Sequence, residues 1–257
     1  FPVIENMMIS LPSIKEQEKL ANLFMNIDEK IEKCKNVIDG LEKQKKSLMQ
    51  KIFNRELRFK DENGNEFPDW EEKKLGEVVH SFDYGMNVAS CEYDGENKYI
   101  RITDIDDLSH KYSHENVVSP NGGLEDKYLV RKNDILFART GASTGKTYLY
   151  DEKDGKLYFA GFLIRGNVKD DYNSYFIFIQ TLTSRYKKWV SIVSIRSGQP
   201  GINAEQYKEF MIYVPCLKEQ NKIVGLLKLY DDRIEVARNK VEHWQQIKKG
   251  LLQQMFV

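Results

Sequence analysis

Leu11-Pro12-Ser13-Ile14-Lys15-Glu16-Gln17 reappears as Val214-Pro215-Cys216-Leu217-Lys218-Glu219-Gln220, an offset of 203 residues that holds without a gap to the end of the chain. From Met8 to Phe53, 17 of 46 positions match their counterparts, too many for two unrelated amphipathic helices. Each copy carries an apolar seam at alternating steps of four and three. In the first it runs through Leu20, Phe24, Ile27, Ile31, Cys34, Ile38, Leu41, Lys45, Leu48 and Ile52. In the second it runs through Ile223, Leu227, Tyr230, Ile234, Ala237, Val241, Trp244, Lys248, Leu251 and Met255. Such spacing puts one stripe along a helix and requires a partner to bury it. Pro12 and Pro215 stand where a helix begins, since proline suits the approach to a helix and not its interior. About 40 residues at 1.5 Å each give a rod of roughly 60 Å. Two copies separated by an insert predict an intramolecular pair, antiparallel so that the ends of the insert stay close. Lys45 and Lys248 interrupt both seams at the same step and mark register or reach outward.

Between the copies the pattern changes. Asn63-Gly64-Asn65 is a turn signal, and short strand-like runs follow at 99–103, 135–139 and 157–160, separated by Gly- and Asn-rich turns. One helix is predicted from about Ser174 to Trp189, capped by Asn173 or Ser174. The fold class is therefore α+β: a mixed globule inserted between two long helices that form an antiparallel coiled coil.

Composition narrows the function classes. The 257 residues carry 39 Lys+Arg against 39 Asp+Glu, and no apolar run approaches the roughly 20 residues that span a bilayer. No membrane association is expected, nor does the opening Phe1–Met8 have the pattern of a signal peptide. Cys34, Cys91 and Cys216 are odd in number and far apart, which excludes a disulfide framework and predicts a reducing, cytoplasmic setting. Neutrality hides an uneven distribution: residues 61–126 hold 5 basic and 17 acidic groups, whereas 127–196 hold 13 basic and 6 acidic.

Catalytic signatures are wanting. Gly141-Ala142-Ser143-Thr144-Gly145-Lys146-Thr147 has three residues between its glycines where a phosphate-binding loop needs four, and strand-like residues follow it. It reads as a tight turn presenting Arg139, Thr140, Ser143 and Lys146, groups suited to phosphate or base-edge contacts. His110 and His114 lack further ligands at metal spacing, so no metal site is expected. The stretch Arg185-Tyr186-Lys187-Lys188-Trp189 and the loop Ser194–Gly201 interleave basic, aromatic and amide side chains, which suits either a solvated surface or a DNA face.

Taken in order, the repeat, the entry Phe67-Pro68-Asp69-Trp70, the strand Lys98–Ile105, the stretch Asp134–Tyr150 and the exit Ser197–Gln220 resemble the specificity subunit of type I restriction–modification enzymes over essentially the whole chain. The resemblance implies residues 1–10 as the tail of a preceding recognition domain and 11–60 as a central conserved coiled-coil helix with its linker. It further implies 61–203 as a DNA target recognition domain and 204–257 as the C-terminal conserved helix. The first recognition domain of the family pattern is missing, which leaves two alternatives: an excised fragment, or a rearranged half-subunit that pairs with another copy. By resemblance the chain is not itself an enzyme and holds no cofactor. It would bind one half of a split target in double-stranded DNA and position methyltransferase and motor-nuclease subunits, which bring S-adenosylmethionine and ATP/Mg for adenine-N6 methylation or restriction. The expected DNA-facing set is Lys98, Arg101, Arg139, Thr140, Ser143, Lys146, Arg165, Lys187, Lys188, Arg196 and Gln199. The competing reading is a non-catalytic coiled-coil scaffold that does not read DNA sequence.

Overall fold

A computed structural model describes residues 12–195 and 199–255. In chain order the elements are α1 (Ile14–Phe53), β1 (Glu71–Lys74), α2 (Leu75–Val78), β2 (Val79–Tyr84), β3 (Ser90–Glu92), β4 (Lys98–Ile100), β5 (Val118–Pro120), β6 (Asp134–Ala138), β7 (Thr147–Leu149), β8 (Leu157–Phe159), β9 (Leu163–Val168), α3 (Ser174–Gln180), α4 (Ser184–Val193), α5 (Ala204–Lys208), β10 (Met211–Val214) and α6 (Leu217–Met255). They form two compact units. One joins α1 up to Leu48 with α6 from Leu227; the other is the globule Met49–Leu226.

In the first unit, Leu20, Phe24, Ile27, Ile31, Ile38, Leu41 and Leu48 are buried or half-buried, while every residue off the seam from Ile14 to Leu48 except Gly40 is exposed. On α6, Ile234 and Leu227 are buried, and Tyr230, Val241, Trp244 and Leu251 half-buried. Cross-links establish the direction. Lys45 pairs with Asp231, Arg238 Nη2 donates to Glu42 Oε1 at 2.8 Å, and Lys248 Nζ donates to Asp28 Oδ1 at 2.6 Å. As the number rises on one helix it falls on the other, so the pair is antiparallel. The 203-residue offset converts Asp28 into Asp231 and Lys45 into Lys248. The two lysine–aspartate bridges are thus one contact made twice, and the helix pair has a local two-fold. Both seam lysines serve register through ion pairing.

The globule is built on a four-stranded antiparallel sheet in the order β2-β9-β6-β7. Three two-stranded pairs accompany it: β1 with β10, β3 with β5, and a parallel β4 with β8. β6 is buried throughout, and its Leu136 and Ala138 join Ile100, Tyr148, Phe159 and Leu163 in the core. The predicted strand 99–103 stops at Ile100, because the Asp104 carboxylate accepts from Arg101 N and turns the chain into a 3-10 turn. The single helix predicted from Ser174 is two. Thr181 Oγ1 donates to Phe178 O, closing α3, and Thr183 Oγ1 accepts from Tyr186 N, opening α4. Asn173 is the cap of α3, its side chain accepting from Phe176 N.

The globule extends beyond 61–203 at both ends. β10 pairs with β1, and the first turns of α6 lie in its core. Glu219, 0% exposed, accepts from Arg58 Nε at 2.9 Å, Arg58 Nη2 at 3.0 Å and Trp70 Nε1 at 3.1 Å. Gln220 Oε1 accepts from Asn173 N at 2.9 Å. Heptad spacing marks the helix but carries no information on what covers its first turns. Residues 1–10, expected to belong to a preceding domain, lie outside the described residues.

Candidate nucleic-acid interface

The polar residues proposed from sequence fall into two groups. Four are engaged inside the globule, against expectation. Arg101 clasps Asp104 through two bonds, Nε–Oδ2 at 2.8 Å and Nη2–Oδ1 at 2.7 Å, and that contact holds its guanidinium pKa above the ordinary value. Arg165, 14% exposed, donates to Asp83 Oδ2 at 2.9 Å and Leu129 O at 3.1 Å. Lys146, 11% exposed, pairs with Asp107 and donates to Ile105 O at 3.0 Å. Lys98 Nζ donates to Asp154 O at 2.6 Å. The three with carboxylate partners serve folding before they serve a phosphate, while Lys98 meets a main-chain carbonyl.

The rest are differently placed. Lys187 and Lys188 are exposed on α4, and Gln199 is exposed in the loop that follows. Arg139, Thr140 and Ser143 are half-buried in the β6–β7 connection. Arg196 lies outside the described residues. Main-chain bonds gather the two loops: Gly141 N donates to Pro200 O at 3.0 Å, Ile202 N to Arg139 O at 2.9 Å, and Thr140 bridges Gly201. Gly141 and Gly145 have φ of 78° and 88°, so the connection folds back as a hairpin and points no helix terminus at a ligand.

This tip occupies one end of the four-stranded sheet, where β2 and β6 finish and β7 and β9 begin. Two residues missed at the sequence level join it. The Arg139 guanidinium lies 4.9 Å from the centre of the Tyr84 ring, and Phe162 O accepts from Arg139 N at 3.0 Å. Neither aromatic had a basic neighbour in sequence to mark it; only strand pairing brings Tyr84 and Arg139 together. The tip therefore combines a cation, hydroxyls, an amide and two exposed aromatic rings, a set able to meet both phosphates and base edges.

The two histidines part company. His110 Nδ1 bonds Thr147 O at 2.9 Å, and burial lowers its imidazole below the ordinary range. His114 Nε2 meets Asp154 Oδ1 at 3.1 Å. Among the described residues no group of three or more His, Cys, Asp or Glu converges as a metal site, and no helix is long and apolar enough to cross a membrane.

The fold is similar to that of solved specificity subunits. The chain superposes on the type I restriction–modification S subunit of M. genitalium with a TM-score of 0.66 and 18% identity, covering 95% of this chain and 62% of that one. For the HsdS subunit of Thermoanaerobacter tengcongensis the TM-score is 0.53 at 17% identity, over 96% and 59%. Residues 68–243 match the type I restriction modification DNA specificity domain, and the chain belongs to that family. Among curated relatives it is 28% identical to the type I restriction enzyme MjaVIII specificity subunit of Methanocaldococcus jannaschii, over 97% of this chain and 61% of the relative. It is 23% identical to the StySPI specificity subunit of Salmonella potsdam, over 90% and 52%. The chain thus spans between about half and three-fifths of the length of these relatives.

Proposed function

We propose that the chain is a DNA sequence-specificity subunit, or part of one, of a type I restriction–modification system, its globule reading one half of a bipartite target. The observation that carries this reading is the family match over 68–243, which takes in the whole exposed tip. A pure scaffold is not favoured, since the match lies mostly in the globule. The chain supplies recognition and spacing; methyltransferase and motor-nuclease subunits supply S-adenosylmethionine-dependent adenine methylation and ATP/Mg-driven restriction, in the cytoplasm where the DNA lies. Glu16 and Gln17, the repeat counterparts of Glu219 and Gln220, are exposed. A second copy of the chain is the proposed occupant of that helix start, which light scattering would reveal as a doubled mass.

The test is to express the chain with its methyltransferase subunits, read the modified adenines of the host genome, and measure binding to duplexes with and without that motif. The motif should bind tightest, with steep salt dependence. Arg139→Ala or Lys188→Ala should each lower the log–log salt slope by about 0.9 for every phosphate left without its cation. Equal binding to scrambled DNA would sink the reading.

A further inference from the structure

Phe162 is 62% exposed, the one exposed phenylalanine among the described residues. A phenyl ring in water forfeits the burial that drives folding, and a lone exposed apolar residue is ordinary; what sets this one apart is the backbone that holds it. A loose loop does not account for it, because the corner from Phe159 to Leu163 is tied at every residue. Met86 N donates to Phe159 O at 2.8 Å, Ala160 N to Ile100 O at 3.0 Å, and Gly161 N to Met86 O at 2.6 Å. Arg139 N donates to Phe162 O at 3.0 Å, and Leu163 N to Ala160 O at 2.8 Å. Two glycines permit this closeness. A Cβ on Gly85 would stand 2.2 Å from Ala160 O, and one on Gly161 3.0 Å from Met86 O. The backbone beneath the ring is rigid and the ring faces solvent, which is the preorganised form of a contact residue.

Its surroundings choose the partner. Arg139 is bonded to the corner through Phe162 O and leans on the Tyr84 ring, and the adjoining loop carries Thr140, bridged to Gly201, and Gln199, whose amide lies beside Gly141. An apolar ring on the same tip as a guanidinium, a hydroxyl and an amide complements the major-groove edge of an A·T pair, where the thymine methyl sits next to hydrogen-bonding atoms. We propose that Phe162 is a specificity-determining residue whose ring packs on a thymine methyl of the half-site. This rests on the reading of the globule as the DNA-recognition domain.

The test uses the full chain assembled with its methyltransferase subunits and duplexes carrying the motif read from the modified adenines. A half-site modified at adenine contains at least one A·T pair, and each thymine is replaced in turn by uracil, which removes only the methyl. At one position the wild-type complex should lose about fourfold in affinity, the value of one buried methyl. Phe162→Ala should bind the motif more weakly and show no further loss with uracil; Phe162→Leu should keep part of the penalty. Indifference of the wild type to uracil at every position overturns the proposal, as does a full uracil penalty in Phe162→Ala. Impaired assembly with the methyltransferase at unchanged motif preference also overturns it, and assigns the ring to a protein contact. In each of these cases wild-type preference for the motif over scrambled DNA keeps the underlying reading intact; its absence refutes that reading instead.

Discussion

Glu219→Ala should destabilise the globule by about 3 kcal/mol. The carboxylate is fully buried and accepts four N–H groups, from Arg58 Nε, Arg58 Nη2, Trp70 Nε1 and, at 3.5 Å, Phe59 N. Breaking a buried ion pair costs about 3–5 kcal/mol, because the surviving charge is left uncompensated. The lower end applies here. The Arg58 side chain is 25% exposed and keeps fallback acceptors in Phe67 O at 3.2 Å and Pro68 O at 2.8 Å. Glu219→Gln retains an oxygen for Trp70 and loses the charge, so about 1.5 kcal/mol is expected, the worth of one charged hydrogen bond. Removing both partners in Arg58→Ala/Glu219→Ala should cost about 2 kcal/mol less than the sum of the single changes, as coupled neighbours do. Urea denaturation followed by tryptophan fluorescence and circular dichroism measures these differences. In thermal melts about 3 kcal/mol corresponds to roughly 6–12 °C for a globule of this size. Additive single changes, or an Ala variant within about 0.5 kcal/mol of wild type, would refute the assignment of Glu219 as the clamp between α6 and the linker after α1.

Reversing one seam charge, Lys45→Glu, should lower helix-pair stability by about 1 kcal/mol, and adding Asp231→Lys should restore it. The equivalent Lys248→Glu should act in the same direction but more weakly, since Lys248 and Asp28 are the more exposed pair; melts at 222 nm compare the two. Gly85→Ala should cost at least about 2 kcal/mol, because its Cβ would meet the backbone oxygens of Ala160 and Phe159 at 2.2 Å and 2.5 Å, and neither can yield. Proteolysis of the variant should show opening of the β2–β9 region, and wild-type resistance would contradict the close approach. The Asp94 carboxyl, held by the Asn97 side chain and then by the Asn97 and Glu96 N–H groups, titrates at about 2. Its unfolded value is near 3.9, so its contribution is present above about pH 4 and fades as pH falls towards 2. An NMR titration should find that midpoint, and Asn97→Ala should raise it; no change in the variant would discount the clasp.

The polar part of the exposed tip was only partly legible in the chain. Main-chain bonds join the loops that carry Arg139, Thr140 and Gln199, three residues the sequence singled out, while Tyr84 and Phe162 carried no signal, because exposure of an aromatic ring is decided by what fails to cover it. Arg165 and Lys146 look like any other basic residues in a basic stretch. Their partners Asp83 and Asp107 are far off in sequence; strand pairing matches Arg165 with Asp83, and packing of the β6–β7 connection on a distant turn matches Lys146 with Asp107.

What sequence alone determined is the duplicated helix, its seam and the α+β insert, because heptad spacing and a 203-residue repeat are properties of residues read in line. Even the antiparallel direction followed, from the need to keep the ends of an insert together. The tertiary structure decided which charges are matched, where the globule ends and which aromatic rings remain uncovered. Those are questions of hydrogen-bond partners and burial between residues distant in the chain, such as Glu219 with Trp70, and local pattern does not encode them.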